Sequence, residues 1–259
     1  MEELHIIGVD LAKRVFQVHG SDRAGRVLFR KKLSRQQFKK FLCEIPSCTI
    51  AMEACATSHH WGREAEEAGH IVRLIPPNYV KPFVKRHKND AVDAEAIVEA
   101  ALRPSMSFVA VKTKEQQAQA VMFRSRDLYL RQRTQLINAM HGHLAEYGVL
   151  LPTSRASVAR MVAMAKERSE DLPAPVFEMA VLMADDIERL TAKVATIDKA
   201  LKMLAQASPE AKRLRTMPGV GPITAVAIQA FCPAANSVDS GRGFAAWLGL
   251  VPRQNSTGG

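Results

Sequence analysis

The sequence predicts an α/β domain over its first hundred residues and an all-α remainder, made of a coiled-coil segment and a small helical C-terminal domain. Three observations carry this. Short apolar runs alternate with helical patterns through the first hundred residues, opening on a hairpin, which is the signature of a three-layer α/β domain with a mixed sheet. An apolar heptad then runs unbroken from 176 to 204, as in coiled coils. Finally, a Pro-Gly-x-Gly turn at 218–221 joins two helical patterns.

The elements follow in order. "LHIIGVDLA" is a short apolar run ending in Asp10 and reads as a buried strand. "RVFQVHG" and "GRVLFRKKL" are two more strands, and the polar turn "SDRAG" between them makes them a hairpin. In "SRQQFKKFLCEI", Ser34 and Gln37 form a capping box and Phe38, Phe41, Leu42 and Ile45 recur at helical spacing, until Pro46 stops the helix. "CTIAMEA" is a fourth strand, with Glu53 near its end. A helix over 58–68, stopped by Gly69, leads to a fifth strand in "HIVRLIPP". The helix opened by "NDAVD" ends before Pro104. The expected sheet therefore has five strands, and the α/β domain covers 1–104.

A long helix from 114 to 147 follows, with Thr113 and Gln116 as its cap, Gly148 as its stop, and Phe123, Leu130, Ile137 and Leu144 one heptad apart. A second runs over 175–205. Its seam has Ala180, Ile187, Val194 and Leu201 at one heptad position and Val176, Met183, Leu190, Ile197 and Leu204 at the other. Residues 105–207 are thus a helical hairpin or a dimer seam. Arg124, Arg126, Arg131 and Arg133 decorate the first of these helices, either as a solvated face or as phosphate contacts. The last domain, 208–259, carries the basic stretch "KRLR" and the "MPGVG" turn. It ends at Gly259 in what reads as mid-loop, as a truncated chain would. Gly219 and Gly221 would let backbone approach a phosphate, with free N–H groups at the next helix start. An ordinary helix connection is the other reading. Lys212, Arg213 and Arg215 favour nucleic acid.

Composition narrows the function. Lys plus Arg total 36 against 26 acids, a net charge of +10, which favours a polyanionic partner. No run approaches a membrane span, and the N-terminus does not have the form of a signal peptide, so a soluble intracellular protein with no membrane partner is expected. The four cysteines, at 43, 48, 55 and 232, form no Cys-x-x-Cys pair and read as reduced buried thiols rather than a zinc site with His59. His59, His60, His141 and His143 read as surface or packing residues, Trp247 as core, and Tyr79 as core or loop.

The acids are the sharper signal. Asp10 and Glu53 stand at strand ends, and Asp90 and Asp93 share one helix face. Asp90 and Asp93 taken alone are a helix cap and a dipole partner. Glu53 in an apolar strand is harder to assign to structure alone. Gathered together, four carboxylates stay ionised only beside a cation, and oxygen-only ligands suit Mg²⁺ or Mn²⁺. A pair of such ions clamps a phosphodiester. The basic run Lys85, Arg86, His87 and Lys88 just before Asp90 would attract that phosphate.

"GVDLAKRVFQV", "AMEA", "KNDAVDAEAI", "MPGVGPITA" and "AAWLGLVPRQNSTGG", in this order, resemble the motifs of the DEDD transposases of the insertion-sequence one-ten family, relatives of the pilin-gene invertases. The resemblance implies an N-terminal domain of RuvC-like, RNase H type, with Asp10, Glu53, Asp90 and Asp93 as metal ligands. It also implies a catalytic serine at Ser256 that becomes joined to DNA, a helix-hairpin-helix-like turn at "MPGVG", and guidance by a noncoding bridge RNA. Partners would be donor and target double-stranded DNA, the bridge RNA, and further copies of the chain as a dimer or tetramer through the coiled coil, in the bacterial cytoplasm at the nucleoid. Two rival readings stand beside the serine transposase or site-specific recombinase. One is a metal-dependent, junction-resolvase-like nuclease that uses water. The other is a non-catalytic nucleic-acid-binding protein whose acids are only caps and turns.

Overall fold

The computed structural model describes residues 3–83, 90–150, 163, 172–232 and 240–251, with the side chains of 90–92 left aside. It divides into two compact units, 1–113 with 233–259, and 114–232.

The first unit is built on the five strands expected: β1 (Ile6–Asp10), β2 (Val15–Ser21), β3 (Val27–Ser34), β4 (Thr49–Glu53) and β5 (Ile71–Ile75). The sheet is mixed, in the order β3-β2-β1-β4-β5. β1 to β3 form an antiparallel meander, while β4 and β5 run parallel to β1 and its extension. Alternation along each strand feeds two cores. Ile7, Val9, Phe16, Ile50 and Met52 face α1 (Arg35–Glu44) and α2 (Ser58–Glu67), where Phe38, Leu42, Trp61 and Ala65 are buried. Ile6, Ala51 and Ile75 face α4 (Asp90–Ala101), meeting Ala96, Ile97 and Val98. A short helix α3 (Pro77–Val80) and a 3₁₀ turn (Lys81–Phe83) follow β5.

The Ser34 capping box forms as predicted. Ser34 Oγ accepts from the Gln37 N–H at 3.3 Å, and Gln37 Oε1 accepts from the Ser34 N–H at 2.8 Å. Edge-to-face contacts tie Phe16 to Phe38 and Trp61, at 5.3 and 5.1 Å between ring centres. Beyond α4 the chain returns along the sheet, where Val109 bridges Leu74 and the Lys112 N–H donates to His59 Nδ1.

The second unit pairs the two long helices α5 (Lys114–Ala145) and α6 (Ala174–Ala207). The chain leaves α5 through Gly148, which takes the left-handed φ of +71°. Every member of the predicted 180, 187, 194, 201 row is buried. The pairing is antiparallel. Met122 and Phe123 near the start of α5 meet Ile197, Leu201 and Leu204 near the end of α6. Met140 and Leu144 near the end of α5 meet Val176, Ala180 and Ile187 near the start of α6. The heptad seam is therefore occupied within one chain. Gln116 Nε2–H donates to the Gln229 carbonyl oxygen at 3.2 Å.

α7 (Pro209–Leu214) and α8 (Pro222–Phe231) close this unit, and Ala225 and Val226 pack against Leu201 and Ala205. The turn between them uses Gly219 at φ +83°. Returning to the first unit's share of the chain, α9 (Gly241–Trp247) is capped by Ser240. Trp247, expected as core, is half exposed and stacks on Phe244, because this seven-residue helix buries none of its residues. Among the described residues, no helix is long and apolar enough to cross a membrane.

Candidate active site at the strand ends

Asp10 is the last residue of β1 and Glu53 the last of β4. These strands are parallel and adjacent, and the residues just before the acids, Val9 and Met52, are register partners. The two carboxylates therefore leave neighbouring strands at the same end of the sheet. Alternation decides their face. Val9 and Met52 enter the core under α1 and α2, so Asp10 and Glu53 point to the α4 side.

α4 brings the third acid. It crosses β1 at Gly8, so closely that a Cβ there would overlap the Ala94 carbonyl oxygen and come to 2.6 Å from Val98 Cγ2. Asp93 immediately precedes Ala94 and is half-buried. Its position is felt by Glu53, whose carboxyl is held above its ordinary range, first by burial and then by the negative charge of Asp93. The Cys55 thiol, half-buried beyond the end of β4, is likewise pushed up by burial and then by the charges of Glu53 and Asp10. Glu53 thus feels the charge of Asp93, and Asp10 and Glu53 both act on the Cys55 thiol from the same end of the sheet.

Among the described residues no group of three or more His, Cys, Asp or Glu is close enough to hold a metal by itself. The backbone of Asp90 opens α4, one turn before Asp93. Asp10, Glu53 and Asp93 offer only oxygen donors, the kind a hard divalent cation takes, and a positive charge there would relieve the pressure of burial and Asp93 on Glu53.

Comparison with known proteins decides the family. A family model of DEDD transposases, described as "Transposase", matches residues 7–149, and a second, "Transposase IS116/IS110/IS902 family", matches 211–259. The chain belongs to the IS110 family of transposases. A probable family 20 transposase of Pseudomonas aeruginosa is 48% identical over 98% of this chain and 75% of its own length. The transposase for insertion sequence element IS1328 of Yersinia enterocolitica is 39% identical over 100% of this chain and 77% of its own. That for IS1111A of Coxiella burnetii is 35% identical over 100% and 71%.

The remaining sequence-predicted residues of this IS110 transposase are spread over both units. Lys85, Arg86, Lys88 and Ser256 lie outside the described residues, as does the side chain of Asp90. Arg124 is exposed on α5. Arg126 forms an ion pair with Asp198 on α6, Arg131 with Asp127 at 2.9 Å, and Arg133 donates to Thr191 Oγ1 at 3.4 Å. Lys212, Arg213 and Arg215 are exposed around α7, before the turn that holds Gly219 and Gly221.

Two features of the acidic site escaped the sequence reading. Gly8 was legible in principle, because a glycine inside a strand marks a close backbone approach. The other is a clamp on α4. Arg30 on β3 reaches Glu95 at 2.7 Å and His19 Nδ1 at 3.5 Å, tying the helix to the sheet two residues beyond Asp93. Arg30 and Glu95 are 65 residues apart in sequence, and no local pattern announces the pair.

Proposed function

We propose that this IS110-family transposase cleaves and rejoins DNA at the acidic strand ends, with Asp10, Glu53, Asp90 and Asp93 holding Mg²⁺ or Mn²⁺ and Ser256 as the nucleophile. One observation carries the reading: Asp10 and Glu53 end adjacent parallel strands under the helix that bears Asp93, and Glu53 is destabilised as an anion there. A RuvC-like, RNase H type assignment of this domain rests on the same arrangement.

Bound at these carboxylates, the divalent ion would neutralise phosphate charge and favour the ionised form of a hydroxyl nucleophile. The chain's own groups do the rest. The Ser256 hydroxyl oxygen forms a bond to phosphorus, its proton passes to a base, and the P–O bond to one strand end breaks, releasing that end as an alcohol. Attack by another strand's hydroxyl on the phosphoserine ester reverses these changes and joins the new pair.

The same reading assigns subunit organisation to the faces of the long helices that lie outside their intrachain seam. It assigns DNA contacts to the exposed cations around α7 and the helix-hairpin-helix-like Gly219–Gly221 turn, and target choice to a noncoding bridge RNA. The net charge of +10 supports such polyanionic partners.

The deciding experiment combines the full-length protein, its guide RNA, target DNA and Mg²⁺, and looks for a protein–DNA adduct that survives denaturant. The adduct is expected with wild type and absent in Ser256→Ala and Asp90→Asn. Cleavage that continues in Ser256→Ala without an adduct would instead identify a water-using nuclease.

A further inference from the structure

We propose that the acidic site continues across the sheet as a strip of DNA-backbone contacts formed by Gln17 and Lys32, with Lys13 and Arg14 at the adjoining turn. This inference rests on the acids being the place where DNA is processed. The strip takes phosphates of the substrate strand next to the one held at the acids.

The strand register carries the argument. Asp10 is paired with Gln17, and Gln17 with Lys32. Directly paired residues in antiparallel strands point to the same face, so the three side chains form one row on the α4 side. Neighbouring strands lie about 4.8 Å apart, so Lys32 stands about 10 Å from Asp10 along this row. The face is independently set on β3. Leu33 and Phe29 pack with Phe41 in the core under α1, while Arg30, two residues from Lys32, reaches Glu95 on α4. Lys13 and Arg14 occupy the turn that leaves β1 three residues after Asp10, at the same end of the sheet, and both are exposed.

These cations differ from their neighbours in having no structural use. Lys31 lies over the Phe29 and Phe41 rings, and Arg35 over Phe16 and Trp61. Lys39 pairs with Glu64, and Lys40 with Glu44. Arg30 is committed to the α4 clamp. Among the described residues, Lys13, Arg14 and Lys32 have no ion-pair or ring partner, although Lys32 is only two strands from Asp10. A polyanion approaching three carboxylates is repelled within a Debye length, about 10 Å at ordinary ionic strength. Unpaired cations at that range offset the repulsion and set the direction in which the strand runs. Gln17, between them and half-buried, offers an amide N–H to a phosphate oxygen without adding charge.

The test is the salt dependence of binding to a short fluorescein-labelled single-stranded DNA, at fixed Mg²⁺, by the full chain. Each lost phosphate contact lowers the magnitude of the slope of log K against log salt by about 0.7 for single strands. Lys13→Gln/Arg14→Gln/Lys32→Gln is expected to lower it by about 2, whereas Lys40→Gln, on the exposed face of α1, leaves it unchanged. An unchanged slope in the triple variant, an equal drop with Lys40→Gln, or no DNA binding even at low salt overturns the strip. RNA of the same sequence separates the two polyanions: a drop confined to RNA also overturns it. Failure of the underlying reading looks different. In Glu53→Gln, cleavage that persists would refute the acidic site while leaving the triple variant's slope change standing.

Discussion

Glu53 concentrates the physics of the site in one carboxyl. Its folded-state pKa is raised above the ordinary 4.5 by burial and by Asp93. A carboxyl of this kind binds its proton more tightly in the folded chain than in the unfolded one. Below 4.5 both states are protonated and it costs nothing. As pH rises above that value the unfolded state ionises first, so stability falls until the folded pKa is passed, and the penalty then remains at neutral pH. In chelator, Glu53→Gln is therefore expected to raise Tm relative to wild type near neutral pH, with the difference shrinking as pH drops below the ordinary carboxylate range. Added Mg²⁺ should reverse the order, because wild type gains stability from the ion by mass action and the variant gains less. Thermal melts at two pH values, with and without Mg²⁺, check this. A variant-minus-wild-type difference indifferent to both would mean that Glu53 is neither strained nor a ligand.

At the scale of elements, the site depends on how α4 lies over β1. Gly8 permits the approach and Arg30 clamps the far side through Glu95. Gly8→Ala forces the helix outward, and overpacking of this kind costs about 1–3 kcal/mol. The variant is expected to fold with a lower denaturant midpoint and to lose much of its Mg²⁺-induced Tm rise, as Asp93 moves away from Glu53. A full Mg²⁺ response in a destabilised Gly8→Ala would show that α4 does not position the site. The elements themselves were legible. Five strands, the Ser34 cap and the seam of α6 follow from periodicity and capping chemistry, and the acids at the strand ends were visible as acids in apolar runs. The face of α4 was not. In "DAVDAEAIVEAA" the acids Asp90, Asp93, Glu95 and Glu99 are spread around the helix rather than gathered on one side, so no apolar stripe points to the sheet. Nor were the pairings across the chain, such as Arg126 with Asp198, since a salt bridge between distant segments leaves no local spacing. Trp247 has the residue type of a core position, but its short helix has no core to enter.

At the scale of the whole molecule, the two units have separate cores. The apolar clusters of the sheet draw on none of the residues that fill the helical hairpin. Cation binding at the acids should then be indifferent to the packing of α5 against α6. Ile187 tests this, being fully buried in the hairpin beside Ala180, Met140 and Leu144. Ile187→Ala removes buried methyl groups and leaves a cavity, a change that costs about 2–5 kcal/mol. Amide hydrogen exchange resolved by peptide should show faster exchange along 114–145 and 174–207, because opening of a cooperative unit follows that unit's own stability. Protection of β1, β4 and α4, and its increase on adding Mg²⁺, should stay as in wild type. If β1 and β4 lose protection in step with the hairpin, the chain unfolds as one cooperative body, and the site's stability is inseparable from the long helices.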